Sequence, residues 1–290
     1  VRKIWLLGLM LTSFGIPLLF ILRSSPLPVP TAPKTLTYEQ RNLPHSIVHI
    51  LRIPANSRFL VTPALSTKVN TIEEFTQQHP AKAIFNAGFF DPANQKSTSY
   101  IFLQGKLVAD PKNNERLINN PNLKPYLNKI FNRTEFRRYL CGQTIRCDIA
   151  PRSKSVPASC QLVDAIGGGP QLLPELTSVP EGFVDHTNGR DALGSNQANA
   201  RTAVGITDDG SVILLMVSQK SSTPNKSGIS LPALAGLMKT LGIQKAMNLD
   251  GGSSSSLYYN GKTFYGKVDS AGNAIKRPVK SVLLVQENSP

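Results

Sequence analysis

One stretch of this 290-residue chain gathers a carboxylate, two glycines and four serines: Asn248-Leu249-Asp250-Gly251-Gly252-Ser253-Ser254-Ser255-Ser256. It follows the apolar pair Ala246-Met247 and precedes the strand-like Leu257-Tyr258-Tyr259. Ligands of sheet proteins gather at strand ends, where glycine lets the backbone approach closely. Three other stretches share this pattern of a short apolar strand ending in glycine or charge: Asn86-Ala87-Gly88-Phe89-Phe90-Asp91, Gly167-Gly168-Gly169-Pro170 and Arg201-Thr202. Arg201 carries a guanidinium that can fork onto phosphate oxygens. Asp250, and after it Asp91, carries a carboxylate that can serve as nucleophile, base or electrostatic stabiliser. Each stretch also has a plain reading: Asp-Gly is a common turn dipeptide, the triple glycine a bend, Gly88 a turn, Arg201 half of a surface ion pair. Their coincidence points to one shared pocket.

The elements that must hold these residues are strands with few helices. Ser46 to Ile53, Phe59 to Thr62, Ala83 to Asn86, Gln161 to Ile166 and Ser281 to Gln286 read as strands. Gln104-Gly105 and Asp209-Gly210 mark hairpins. A short helix starts at Thr71, capped by Asn70 or Thr71. Ser230 to Leu241 is the clearest helix: Ser230 caps it, Leu231, Leu234, Leu237, Met238 and Leu241 form one face, and Gly242 ends it. The strand-helix-strand order leading to Ala246–Leu249 predicts a crossover onto a sheet. Residues 112–160 are polar and basic, read as an insertion with a helix around Leu127 to Tyr139. The fold class is α+β (mixed α/β), a single domain over 46–290 of mixed sheet with flanking helices, preceded by an N-terminal hydrophobic helix.

Composition bounds the partners. Hydrophobic residues make up 40% and charged residues 17%, so a packed core is expected rather than disorder. The net charge of +14 suits an anionic partner. No nucleic-acid-binding motif accompanies that charge and aromatic residues are sparse, so no nucleic acid is expected. Arg2-Lys3, the apolar run Ile4 to Leu22 and Arg23 read as a membrane anchor over 1–23, with a cleaved signal peptide as the rival. Either places the body outside the cytoplasm, beyond a proline-rich spacer over 24–45. There a disulfide can form: Cys141–Cys160 is expected, with Cys147–Cys160 as the rival. His45, His49 and His79 show no metal spacing and no EF-hand pattern is present, so no metal or other cofactor is expected, a lone calcium held by loop oxygens being the open alternative. Asp164 reads as structural, and Asp185-His186 as a loop in which His186 is a surface histidine before it is an acid or base.

The segments NAGFFD, AIGGGPQLL, ARTAVGITDDG, SGISLPALAGLMKTLG and AMNLDGGSSSSL stand in the order and approximate spacing of the phosphodiester glycosidase family, which the chain resembles from about Ile47 to Gln286. The resemblance implies a hydrolase that parts a sugar's anomeric carbon from a phosphodiester in an exported or envelope glycan. Carried over by motif, Asn86, Gly88, Asp91, Gly168, Gly169, Arg201, Thr202, Asp250, Gly251, Gly252 and Ser253 would line its site, with Asn248 and Ser254 beside them. Backbone amides at Gly168-Gly169 and Gly251-Gly252 could then form an anion-binding nest. The chain departs from the family at Ala200, where proline is common, at Ser253, where glycine is common, and at Ser218-Gln219-Lys220, where Asp-Gly-Arg is common. The rival readings are a non-catalytic glycan-binding protein on the same scaffold and a phosphodiesterase. The latter usually leans on two metal ions.

Overall fold

A computed structural model describes residues 1, 35–55 and 57–287. The expected N-terminal helix and residues 24–34 of the expected spacer lie outside them. Among the described residues no helix is long and apolar enough to cross a membrane. The fold is sheet-dominated with few helices.

Three large sheets surround one core. The first runs, strand beside strand, Thr37–Leu43, Ser46–Ile53, Val212–Ser218, Arg201–Thr207, Ile243–Asn248, Gln171–Leu173. The second runs Lys262–Tyr265, Ser256–Tyr259, Ala83–Asn86, Val279–Glu287, Phe59–Asn70. The third runs Lys106–Ala109, Ile101–Leu103, Cys160–Gly167, Thr134–Cys141, Thr144–Pro151. The ladders among the described residues are antiparallel. Val212–Ser218 and Ile243–Asn248 both flank Arg201–Thr207 and so point the same way, which requires the predicted helical crossover.

Alternation along the strands builds the layers, because successive side chains point to opposite faces. Leu283 and Val285 enter the central core with Leu214, Met216, Phe85 and Ile166. Their neighbours Val282 and Leu284 face the other way, under Ile72 and Phe75 of the helix Ile72–Gln78. Likewise Ile213, Leu215 and Val217 pack beneath Leu231, Leu234 and Met238 of the helix Leu231–Thr240. Both helices start as their caps dictate: Thr71 and Glu74 form a capping box, and Ser230 accepts from the Ala233 N–H. Truncating a fully buried aromatic such as Phe85 would remove about 3–5 kcal/mol.

Two expectations change. The helix read over Leu127 to Tyr139 is helical only at Leu127–Ile130, and Thr134–Cys141 is a strand of the third sheet. Its charges misled: Glu135 is buried and paired with buried Arg137 and with Arg152, so they line the interior rather than a solvated face. Thr37–Leu43, expected within the spacer, is an edge strand of the first sheet. Tyr38 anchors it, stacking on Tyr259 at 4.7 Å and sharing a 2.8 Å hydrogen bond with His49. Cys141 faces Cys160 across one ladder and is disulfide-bonded to it, with Cα atoms 4.1 Å apart. Cys147 is left as a thiol, pushed up to about 12 by burial and therefore unreactive near neutral pH.

Candidate active site

The four motif stretches meet at the Asp250 loop. Where the chain leaves the strand Ile243–Asn248, the Leu249 N–H donates to the Thr202 carbonyl at 2.8 Å. The Asp250 N–H donates to Ala87 O and the Gly252 N–H to Ala200 O, each at 2.8 Å. From the third sheet, the Gly169 N–H donates to Asn248 O at 2.7 Å. Strand tips of all three sheets are thus sewn together by main-chain bonds, and side chains complete the seam.

Asn86 is the central tie. Fully buried, it donates to the Asp250 carbonyl at 2.6 Å and accepts from the Thr202 hydroxyl at 2.7 Å and the Ser256 N–H at 3.0 Å. Asn248, also buried, donates to Gly169 O at 3.0 Å and Leu249 O at 2.7 Å, while its Oδ1 has no protein partner. Gly88 is held by the Ser281 hydroxyl at 3.1 Å. Glycine is needed at 168, where a Cβ would lie 2.5 Å from Met247 Cε and 2.8 Å from Asn248 O.

Asp250 is presented at the centre of this seam as a half-buried residue. Desolvation pushes its carboxyl up to about 6, opposed by hydrogen bonding from Ser254, the charge of Arg277 and the Gly251 N–H. A carboxyl placed there is largely ionised at neutral pH yet weakly solvated, a state suited to attacking or steadying a cationic centre.

The other expected site residues are placed as follows. Arg201 is buried, and its guanidinium donates to Ile229 O at 3.2 Å, Leu193 O at 3.0 Å, Gly194 O at 2.8 Å and Gln197 O at 3.1 Å. Burial pushes it down to about 10. It fastens the 193–199 loop beside Asp250. The amides expected to form a nest are occupied: Gly168 N–H by Thr134 O, Gly169 by Asn248 O, Gly252 by Ala200 O, and Gly251 by the Asp250 carboxylate. Glycine frees φ and ψ, but here the freed amides close the seam. The Asp91 carboxylate accepts from Ala93 N–H at 2.8 Å and pairs with Arg116 at 2.9 Å, fixing the turn after Phe90. Ser254 is buried, and Ser253 accepts from Arg277 at 3.1 Å.

Two residues at the site, Arg277 and Asn199, are not legible in the sequence, and a third, Gln219, shows there only as a departure from the family. Arg277 lies in a loop of no recognisable motif; the one sequence signal is the basic pair Lys276-Arg277 before Pro278. Asn199 lies against Gly252, its Nδ2 3.7 Å from where a Cβ would stand, and only its position two before Arg201 hinted at this. Gln219, in the segment that departs from the family, donates to Pro224 O at 3.0 Å and Ser227 O at 3.1 Å and accepts from Val268 N–H at 3.3 Å. It straps two loops that flank the site.

The remaining candidates are structural. Asp164 is buried, paired with Arg138 and bonded by Gln104 N–H at 2.9 Å. Asp185 closes a turn through Thr187, Asn188 and Tyr126, which hold its carboxyl down to about 2. Among the described residues no group of three His, Cys, Asp or Glu side chains is arranged to hold a metal ion.

A glycine-presented carboxylate with an arginine beside it, at converging strand tips, has the makings of a hydrolase site for an anionic substrate. The phosphodiester glycosidase family profile matches residues 79–286. The chain belongs to that family, and the match supports phosphodiester glycosidase activity in general. No curated protein matches the chain. Among solved structures it resembles the zebrafish N-acetylglucosamine-1-phosphodiester alpha-N-acetylglucosaminidase catalytic domain auto-inhibited by its pro-peptide: TM-score 0.64, 18% identity, 89% of this chain and 85% of that one. It also resembles a hypothetical protein from Synechocystis: TM-score 0.57, 16% identity, 86% of this chain and 62% of that one. At such identities the likeness is one of fold.

Proposed function

We propose that the chain is an extracytoplasmic enzyme, membrane-anchored or secreted, that hydrolyses sugar-1-phosphodiesters of envelope or exported glycans. The bond between the anomeric carbon and the phosphate oxygen breaks. Both electrons leave with the phosphate, water supplies hydroxyl to the sugar, and its other proton ends on the phosphomonoester. The observation that carries this reading is Asp250, held by glycines at the seam of three sheets with Arg277 beside it. Asp250 stabilises or attacks the developing oxocarbenium centre. A phosphomonoester is a good leaving group, so little acid assistance is needed. Arg277 is the phosphate's partner, since the donors of Arg201 are engaged by backbone carbonyls. Arg201, Asn86, Thr202 and Asn248 position the loop, Asp91 the neighbouring turn, and Asn199 and Ser253 offer polar contacts to the substrate.

A second reading, a glycan-binding protein without turnover, draws on Ser218, which stands where the family commonly offers an aspartate and whose hydroxyl donates to Ile47 O at 3.3 Å. One assay separates the readings. The full chain is incubated with UDP-sugars and simple sugar-1-phosphodiesters, with Asp250→Asn as control. Free reducing sugar lost in the variant supports the glycosidase, and released sugar phosphate indicates a phosphodiesterase. Binding without product from folded protein indicates the binding protein.

A further inference from the structure

Beside the Asp250 loop runs an open groove of about 460 Å³ whose walls are mostly hydrocarbon: Val69, Phe90, Pro92, Ile275 and Pro278. That volume lies within the range of about 300–1,000 Å³ usual for small-ligand sites. Ser253 and Arg277 line it too, so it begins where the phosphate of the proposed substrate would lie. The Arg277 guanidinium stands over the Phe90 ring, 5.4 Å from its centroid. Lys276, also lining the groove, adds a second cation.

The walls are built before any ligand arrives. Phe90 bridges to Ser97, and the turn that carries Pro92 is fixed by the Asp91–Arg116 pair. Ile275 is tied through its N–H to Lys267 O at 2.9 Å. A hydroxyl-rich glycan laid along this wall would give up hydrogen bonds to water and find few replacements. A hydrocarbon chain would shed its hydration there. Two cations and an apolar wall lining one groove match one chemistry, an alkyl chain carried on an anionic phosphate.

We propose that this groove holds the aglycone of the substrate, and that the aglycone is a lipid-type hydrocarbon chain esterified to the phosphate. The inference rests on the glycosidase reading for its substrate but not for its ligand chemistry, and two measurements keep them apart. The first compares kcat/KM of the full chain for octyl and glyceryl phosphodiesters of the same sugar. The octyl ester is preferred by on the order of tenfold or more, the scale of apolar-pocket discrimination. Ile275→Ser and Val69→Ser each narrow that ratio. The second titrates the same protein with octyl phosphate and with glyceryl phosphate by calorimetry. Octyl phosphate binds on the order of tenfold more tightly, and either substitution shrinks the difference. Sugar release with no octyl preference, or with preference for a glycan aglycone, overturns the groove assignment and leaves the glycosidase standing. Octyl phosphate binding without sugar release keeps the groove and overturns the glycosidase. Equal affinity for the two phosphates overturns the groove.

Discussion

The side-chain amide of Asn86 donates to the backbone carbonyl of Asp250 at 2.6 Å. One buried residue of the second sheet thereby fixes the loop that carries the proposed catalytic carboxylate, and its own oxygen is fixed in turn by Thr202 and Ser256. Asn86→Ala leaves the Thr202 hydroxyl, the Ser256 N–H and the Asp250 carbonyl short of a partner in a buried place. The expected loss is about 1–3 kcal/mol for each group so orphaned that finds no water. Urea denaturation of the variant measures it, and kcat should fall even where the protein remains folded.

Asp250→Asn should uncouple stability from activity. The carboxyl titrates near 6 in the fold against an ordinary 3.8. A raised folded-state pKa means that the proton favours the folded state. That contribution is complete below about pH 4 and is lost as pH rises through the folded pKa. The amide never ionises, so the variant should exceed the wild type in stability at pH 7, by at most about 3 kcal/mol. Its turnover should fall by about 10²–10⁴-fold. Denaturation at pH 4 and pH 7 checks the first; reducing-sugar release checks the second.

The pH profile follows from the same group. If ionised Asp250 is the working form, kcat/KM rises with pH and levels above about 6. The charge of Arg277 lowers the Asp250 carboxyl, so Arg277→Gln should move that rising limb to higher pH as well as raise KM. A limb unmoved by Arg277→Gln would separate the two residues electrostatically.

Gly168→Ala tests the seam from the third sheet. The new methyl would meet Met247 Cε, which can yield, and the Asn248 carbonyl at 2.8 Å, which is backbone and yields less. The expected cost is about 1–3 kcal/mol. Because Asn248 leads directly into Asp250, turnover should drop further than stability alone explains. A melting curve and a rate on the same preparation compare the two.

Much of this was legible in residue order. Gln104-Gly105 and Asp209-Gly210 turn where their glycines permit positive φ, and Gly242 ends its helix in the same way. Ser230 caps as its hydroxyl allows. The convergence of the NAGFFD, GGGP, RT and NLDGG stretches was legible because glycines at strand ends mark close backbone approach. Hydrogen-bond destinations were not. Glycine at 168, 169, 251 and 252 announces an unusual backbone without saying where its N–H points, and here it points into the protein. Arg201 reads as a phosphate ligand on charge alone, yet its fork closes on carbonyls supplied by residues 193–197 and 229. The strand at Thr134–Cys141 was hidden because two of its charges, Glu135 and Arg137, neutralise one another inside.

The tie from Asn86 to Asp250 spans 164 positions of sequence, and that from Thr202 to Asn86 spans 116. Such contacts reward the chain only after long loops have closed, which makes topologies of this kind slow to fold. A ribosome must release the chain beyond Ser281 before the seam has all its members. Until then backbone groups that the seam will pair, such as the Asp250 N–H and the Asn248 carbonyl, lack their native partners. The same stitching that holds the carboxylate in place ties its formation to the arrival of residues far apart in the chain.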